Sequence, residues 1–147
     1  MGGVRHHTEL IVWREATQLA VELLRWVEGD GRSLPWCLRD QIGRAVFSIG
    51  ANIAEGFGRG SDRDFARFLD IARGSSHELD SHLRVAAQLM VSPDTVLAIL
   101  PRLDVIGRRV ATLTTHLRTG EAVEAYSADA MSSTTNHGPR TTDPAHA

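Results

Sequence analysis

The chain predicts an all-α protein, an antiparallel up-down-up-down four-helix bundle. Three observations carry that expectation. Apolar residues recur at spacings of three and four through residues 8–119, which is the period of a helix buried on one side. Breakers divide the stretch into four segments of about 20 residues with short connections, the pattern of antiparallel neighbours. No strand-like alternation and no internal repeat competes.

The first helix is read from Val12, Ala16, Leu19, Leu23 and Trp26, one continuous seam. Gly29-Asp30-Gly31 stops it. A second seam runs Leu38, Ile42, Ala45, Ile49 and Ile53, with Pro35 at the first helical position and Gly56, Gly58 and Gly60 marking its end. Ser61 caps the third helix, with Asp64 in its first turn. The third seam is Phe65, Phe68, Ala72, Leu79, Leu83 and Ala86. Ser92-Pro93-Asp94 opens the fourth, whose seam is Val96, Ile99, Leu103, Ile106, Val110, Leu113 and Leu117. Pro101 lies inside that helix and is expected to kink it or to split off its first turns.

Composition limits the function classes. The 147 residues, 42% hydrophobic and 23% charged, are enough for one globular domain with a core. The longest apolar run is Val96 to Leu100, too short to span a membrane. The opening Met-Gly-Gly-Val-Arg-His-His lacks the apolar stretch of a secretory signal, so a cytoplasmic location and no membrane partner are expected. All 16 basic residues are arginine, and the net charge of −2 argues against a nucleic-acid binder that uses its whole surface. Residues 1–120 carry 15 Arg against 14 acids, whereas 121–147 carry one Arg against four. That last stretch is rich in Ser, Thr, Ala and Asp, so residues 120–147 are expected to be a disordered acidic tail beside a bundle over 8–119.

The second helix is unusually apolar. Gln41, Arg44, Ser48, Asn52, Glu55 and Arg59 fall in one polar stripe. Opposite the core seam lies another non-polar face made of Gly43, Phe47, Gly50 and Ala54. Its small residues allow another backbone close. That backbone belongs either to a neighbouring helix of the same chain or to another subunit. The polar stripe has two readings as well. Folding the second and third helices about Phe57–Gly60 sets Arg44 level with Ser75 and within a turn of Glu78, and Glu55 precedes Arg59 by four, the favourable order for a helical pair. Arg44, Ser48, Asn52, Glu55, Ser75 and Glu78 are then structural polar contacts or the lining of a functional pocket.

Catalytic and metal chemistry finds little support. A di-iron bundle site needs paired Glu-x-x-His motifs, and none occurs. His77 and His82 are five apart, about 140° around a helix, too far for a shared ion. Cys37 is the only cysteine and has no His at helical spacing, which leaves it an ordinary thiol. No cofactor is expected. Arg109 and His116, seven apart on one face, resemble the Arg-x(4–6)-His pattern of helical RNA-cleaving domains, and Arg140 with His146 also fits it. Chance supplies about two such pairs in a chain of this composition, so solvated surface residues are the competing reading.

At the level of longer motifs, Asn52-Ile-Ala-Glu-Gly-Phe-Gly-Arg59, preceded by Gln41-Ile-Gly-Arg-Ala-Val-Phe-Ser-Ile49, resembles the signature of four-helix-bundle proteins encoded by intervening sequences in 23S rRNA genes. Phe65-Ala-Arg-Phe-Leu-Asp-Ile-Ala-Arg-Gly-Ser-Ser-His-Glu-Leu79 and Leu10-Ile-Val-Trp-Arg-Glu-Ala16 extend it. Gly43, Gly50, Pro101 and the acidic tail depart from the pattern. The resemblance implies a ring-like homo-oligomer, a pentamer. It also implies distant kinship with the accessory protein of diversity-generating retroelements, which binds a reverse transcriptase and nucleic acid and is much more basic. The expected function is therefore a non-enzymatic assembly or adaptor protein, associated with RNA or with a nucleic-acid-processing protein. The alternative is a helical ribonuclease using Arg109 and His116. RNA contact, if made, is expected at Arg59, Arg63 and Arg67 around the turn between the second and third helices, with pairing of Arg63 and Arg67 to Asp62, Asp64 or Asp70 as the competing arrangement.

Overall fold

The four seams become four helices: α1 (Ile11–Glu28), α2 (Trp36–Gly58), α3 (Asp62–Leu89) and α4 (Asp94–Thr119). Short 3-10 turns at His7–Glu9 and Asp30–Ser33 precede α1 and α2. The computed structural model describes residues 3–120 and Ser127. Apart from Gly120 and Ser127, the expected acidic tail lies outside the described residues. Gly120 closes α4 in the left-handed conformation, φ 76°, and its amide bonds the carbonyl of His116. Ser127 forms an isolated antiparallel bridge with Leu10.

Each helix end has an identifiable cause. The Gly29 amide turns back onto the carbonyls of Arg25 and Trp26 and ends α1. Pro35 stands at the N-cap of α2, one position before the first helical residue, where its missing amide costs nothing. Ser61 caps α3 by accepting from the Asp64 amide at 3.2 Å. Pro101 does not split off the first turns of α4, which runs as one helix through it. Val96 and Ile99 on one side and Leu103 and Ile106 on the other are all buried in the same core. Burial of both segments offsets a proline penalty of about 3 kcal/mol.

Side-chain pairs fix the topology. Ser48 lies against Ser75, and Gly56 against Phe65 and Phe68, so α2 and α3 run antiparallel. Asp70 pairs with Arg118 and Gly107 lies against Ser76, so α3 and α4 do too. Glu15 pairs with Arg109 and Glu22 with Arg102, which closes α1 antiparallel onto α4. The seam residues pack into one core, with Leu19, Leu23, Ile42, Ile49, Ile53, Leu79 and Leu83 fully buried, joined by Leu69, which the seams did not include. One register differs from the sequence expectation. Ser75 faces Ser48 rather than Arg44, a turn further along α2, because Gly56 admits Phe65 and Phe68 directly against α2.

The α1–α4 seam is polar. Arg102 donates to both carboxylate oxygens of Glu22, the second bond at 3.1 Å. That hydrogen bonding, above all, holds the Glu22 carboxyl below its ordinary range. The unfolded chain thus binds a proton at Glu22 more readily than the folded one. The pair's contribution is complete above the unfolded pKa and is lost as pH falls through the folded one. With the side chains 46% and 38% exposed, solvent screening limits it to under about 1 kcal/mol. Thermal midpoints of wild type and Glu22→Gln are expected to differ by a few degrees at neutral pH and to converge in acid. A constant gap would show that the difference comes from packing alone.

Candidate functional site

The polar stripe of α2 is knitted into the α2–α3 contact. Ser48 and Ser75 share a hydrogen bond of 2.8 Å, and Ser75 Oγ also donates to the Ile71 carbonyl. Asn52 Nδ2 donates to the Ser48 carbonyl at 2.7 Å and to Ser48 Oγ at 3.0 Å. Ser76, equally buried, donates to the Arg73 carbonyl. Arg44 turns outward to Asp40 at 2.8 Å, and Arg59 pairs with Glu55. Glu78 is exposed. A buried hydroxyl left unpaired costs about 1–3 kcal/mol, and each of these has a partner. Of these contacts the Ser48–Ser75 bond joins α2 to α3, and the others close within a single helix.

The other face of α2 is not committed. Phe47 is 58% exposed, and a Cβ at Gly43 would meet no atom within 4 Å. Gly50 faces α1, where a Cβ would lie 3.8 Å from Thr17 Oγ1 and 4.0 Å from Ala16. Between α1 and α2 runs an apolar groove whose walls are Trp13, Thr17 and Val21 on one side and Phe47, Gly50 and Ala54 on the other. Sequence reasoning found the α2 wall and missed the α1 wall. The signal was present: Trp13, Thr17, Ala20, Val21 and Leu24 form a second weakly polar row beside the core seam of α1. Trp36, 73% exposed at the start of α2, was also unassigned.

At the α2–α3 turn, the guanidinium carbons of Arg59 and Arg67 lie 5.0 Å and 5.1 Å from the centre of the Phe68 ring. Arg63 and Arg67 form no ion pair with a described residue, contrary to the pairing weighed for them. Asp70 is taken by Arg118, and Asp64 accepts from the Ser61 hydroxyl. Ring attraction draws Arg67 over Phe68 instead. Asp62, Asp64 and Asp70 nonetheless line the same shallow concavity as Arg63, Arg67 and Arg118, so its formal charge is balanced.

Arg109 is engaged within the bundle. It reaches across to Glu15 and ties α4 to α1, while His116 sits half-buried two turns further along the helix. Among the described residues no group of three or more His, Cys, Asp or Glu is placed to hold a metal ion. Among the described residues no helix is long and apolar enough to cross a membrane.

Fold and site together define an all-α four-helix bundle with one exposed face of α2 left apolar. The chain belongs to the family of 23S rRNA-intervening sequence proteins, whose family model matches residues 8–111. Its fold is similar to that of a crystal structure from Bacteroides thetaiotaomicron, a protein with unknown function from the S23 ribosomal protein family. The TM-score is 0.63 at 22% identity, covering 71% of this chain and 98% of that one. No curated protein matches the chain.

Proposed function

We propose that this protein is a non-enzymatic assembly or adaptor module, a bundle that joins copies of itself through α2. The observation that carries the reading is the uncovered apolar face of α2, continuous with the α1–α2 groove. Monomers seldom expose an apolar strip of this length. The resemblance to the family implies five copies, although nothing in α2 itself fixes that number. Light scattering is expected to give a mass of several chains. Phe47→Glu is expected to reduce it to one chain with helicity unchanged, because Phe47 is exposed within the protomer. A wild-type mass of one chain would sink the proposal.

A second reading rests on Arg63 and Arg67, which have no ion-pair partner among the described residues. We infer that any contact with RNA phosphate is made there and at Arg59, at the start of α3. Because three aspartates share the concavity, affinity is expected to be micromolar or weaker and strongly salt-dependent. Titration of structured RNA at low salt checks it, and binding that survives in an Arg63→Ala/Arg67→Ala variant rejects this location.

A further inference from the structure

We propose that the α1–α2 groove is covered within one chain by the segment that follows Ser127, with Met131 seated between Trp13 and Gly50. Seated there, the segment competes with a second copy for the Phe47 wall. The competition rests on the proposed self-assembly, whereas the seat does not. The groove itself is narrow and apolar. Trp13, Thr17 and Val21 of α1 face Phe47, Gly50 and Ala54 of α2, and none of the six is charged. Its volume of about 240 Å³ falls below the roughly 300–1,000 Å³ of pockets that enclose a cofactor-sized molecule. One adaptable side chain with small neighbours suits it better. Glycine at 50 leaves out a Cβ that would stand 3.8 Å from Thr17 Oγ1 and narrow the floor.

The path of the chain brings the occupant to the groove. Ser127 is bridged to Leu10, the N-cap of α1, less than one turn before Trp13. An antiparallel bridge directs the chain beyond Ser127 toward the His7–Glu9 turn. That turn stands at the mouth of the groove. The His7 ring lies 5.0 Å from the Trp13 ring, and the turn also packs against α2. Met131, four residues past Ser127, reaches up to about 14 Å. Thr17 is seven residues along α1 from Leu10, about 10 Å at 1.5 Å per residue. The middle of the groove is therefore within reach.

Sequence chemistry matches the groove as well. From Ala130 to Pro139 there is no Asp, Glu, Lys or Arg, so the segment enters an uncharged slot without stranding a charge. Met131 is the one long apolar side chain after Ser127, and its neighbours are Ala, Ser and Thr. An unbranched thioether adapts to an irregular gap that a branched or aromatic side chain fills poorly. The tether supplies the rest of the advantage. Held at Leu10, the segment meets the groove at an effective concentration on the order of millimolar, as short links give. A second copy has to match that concentration in solution to displace it.

Disulfide trapping in the full-length chain, with Cys37 replaced by Ala, tests the seat. Met131→Cys with Thr17→Cys is expected to oxidise within one chain at least tenfold faster than Met131→Cys with Thr112→Cys. Thr112 is exposed on α4 and comes level with the start of α1, as the Glu15–Arg109 and Glu22–Arg102 pairs show. A segment without a seat would reach both positions alike. Equal rates, or a disulfide formed between chains, would overturn the seat. Met131→Asp and a chain ending at Ser127 are each expected to lower the thermal midpoint by about 3 °C with helicity unchanged. A midpoint moved by neither would equally reject it. Sedimentation of the same two variants tests the competition. Both are expected to associate several-fold more tightly than wild type, and unchanged association would overturn it. Single chains in every sample would overturn the competition together with self-assembly, and the disulfide would still stand for the seat.

Discussion

Gly56→Ala is expected to destabilise the fold by about 2–3 kcal/mol, lowering the thermal midpoint by roughly 10 °C. Gly56 is buried in the last turns of α2, where the chain passes beneath α3. A Cβ there would stand 2.6 Å from Phe68 Cβ, 3.0 Å from Phe65 Cδ2 and 3.3 Å from the Phe65 carbonyl oxygen. The first of these contacts is far inside van der Waals range. It involves the root of a side chain, which moves only with its backbone. Relief therefore requires α2 and α3 to separate, and that would disturb the neighbouring Phe57–Phe65 edge contact at 5.8 Å and the Ser48–Ser75 hydrogen bond. Alanine's better helix propensity returns about 1 kcal/mol, already allowed for in the net figure. Gly58, two residues on, has open space and is exposed, so Gly58→Ala serves as the control and is expected to be neutral or stabilising. Equal midpoints for the two variants in thermal denaturation would show that the close approach at residue 56 relaxes without cost.

The contrast between these two glycines shows where sequence reasoning reaches its limit. Gly56, Gly58 and Gly60 all read as terminators of the second helix. Only Gly60, with φ 79°, adopts the backbone that favours glycine, whereas Gly56 is a packing position inside the helix. Periodicity is local, and it identified every core seam: Leu19, Ile42, Ile49, Ile53, Leu79, Leu83 and Leu113 are all fully buried. The Ser61 cap was equally legible, because a cap is a contact between residues three apart. What escaped depends on tertiary register. The opposition of Ser48 to Ser75 follows from how closely Phe65 and Phe68 approach α2, which no spacing within either helix encodes. The continuity of α4 through Pro101 likewise depends on a core shared by both halves of that helix. The apolar face of α2 was visible because it concerns one helix alone, while the groove beside it needed α1 in place.

The α1–α4 pairs belong to the same class of long-range features, and one of them decides between two roles for a residue. Arg109→Ala is expected to cost about 1–2 kcal/mol in chemical denaturation. The pair with Glu15 spans 94 positions in sequence, and the two side chains are only 33% and 26% exposed. Removing one partner of a buried pair leaves a charge uncompensated, at about 3–5 kcal/mol when burial is complete. Partial exposure reduces that cost here. Arg102, whose guanidinium also interacts with Glu15 over a longer distance, reduces it further. The second carboxylate oxygen of Glu15 is buried with no hydrogen-bond partner among the described residues, so the ion pair is what stabilises this carboxylate. Glu15→Ala is therefore expected to destabilise by a similar amount, and the double variant by about 1 kcal/mol less than the sum of the singles. A ribonuclease using Arg109 and His116 would behave otherwise. Any RNA cleavage would disappear with Arg109→Ala and His116→Ala, survive Glu15→Ala under conditions where the fold holds, and show no energetic coupling of Arg109 to Glu15. Coupling without cleavage assigns Arg109 to the fold: a tether between the first and last helices of the bundle.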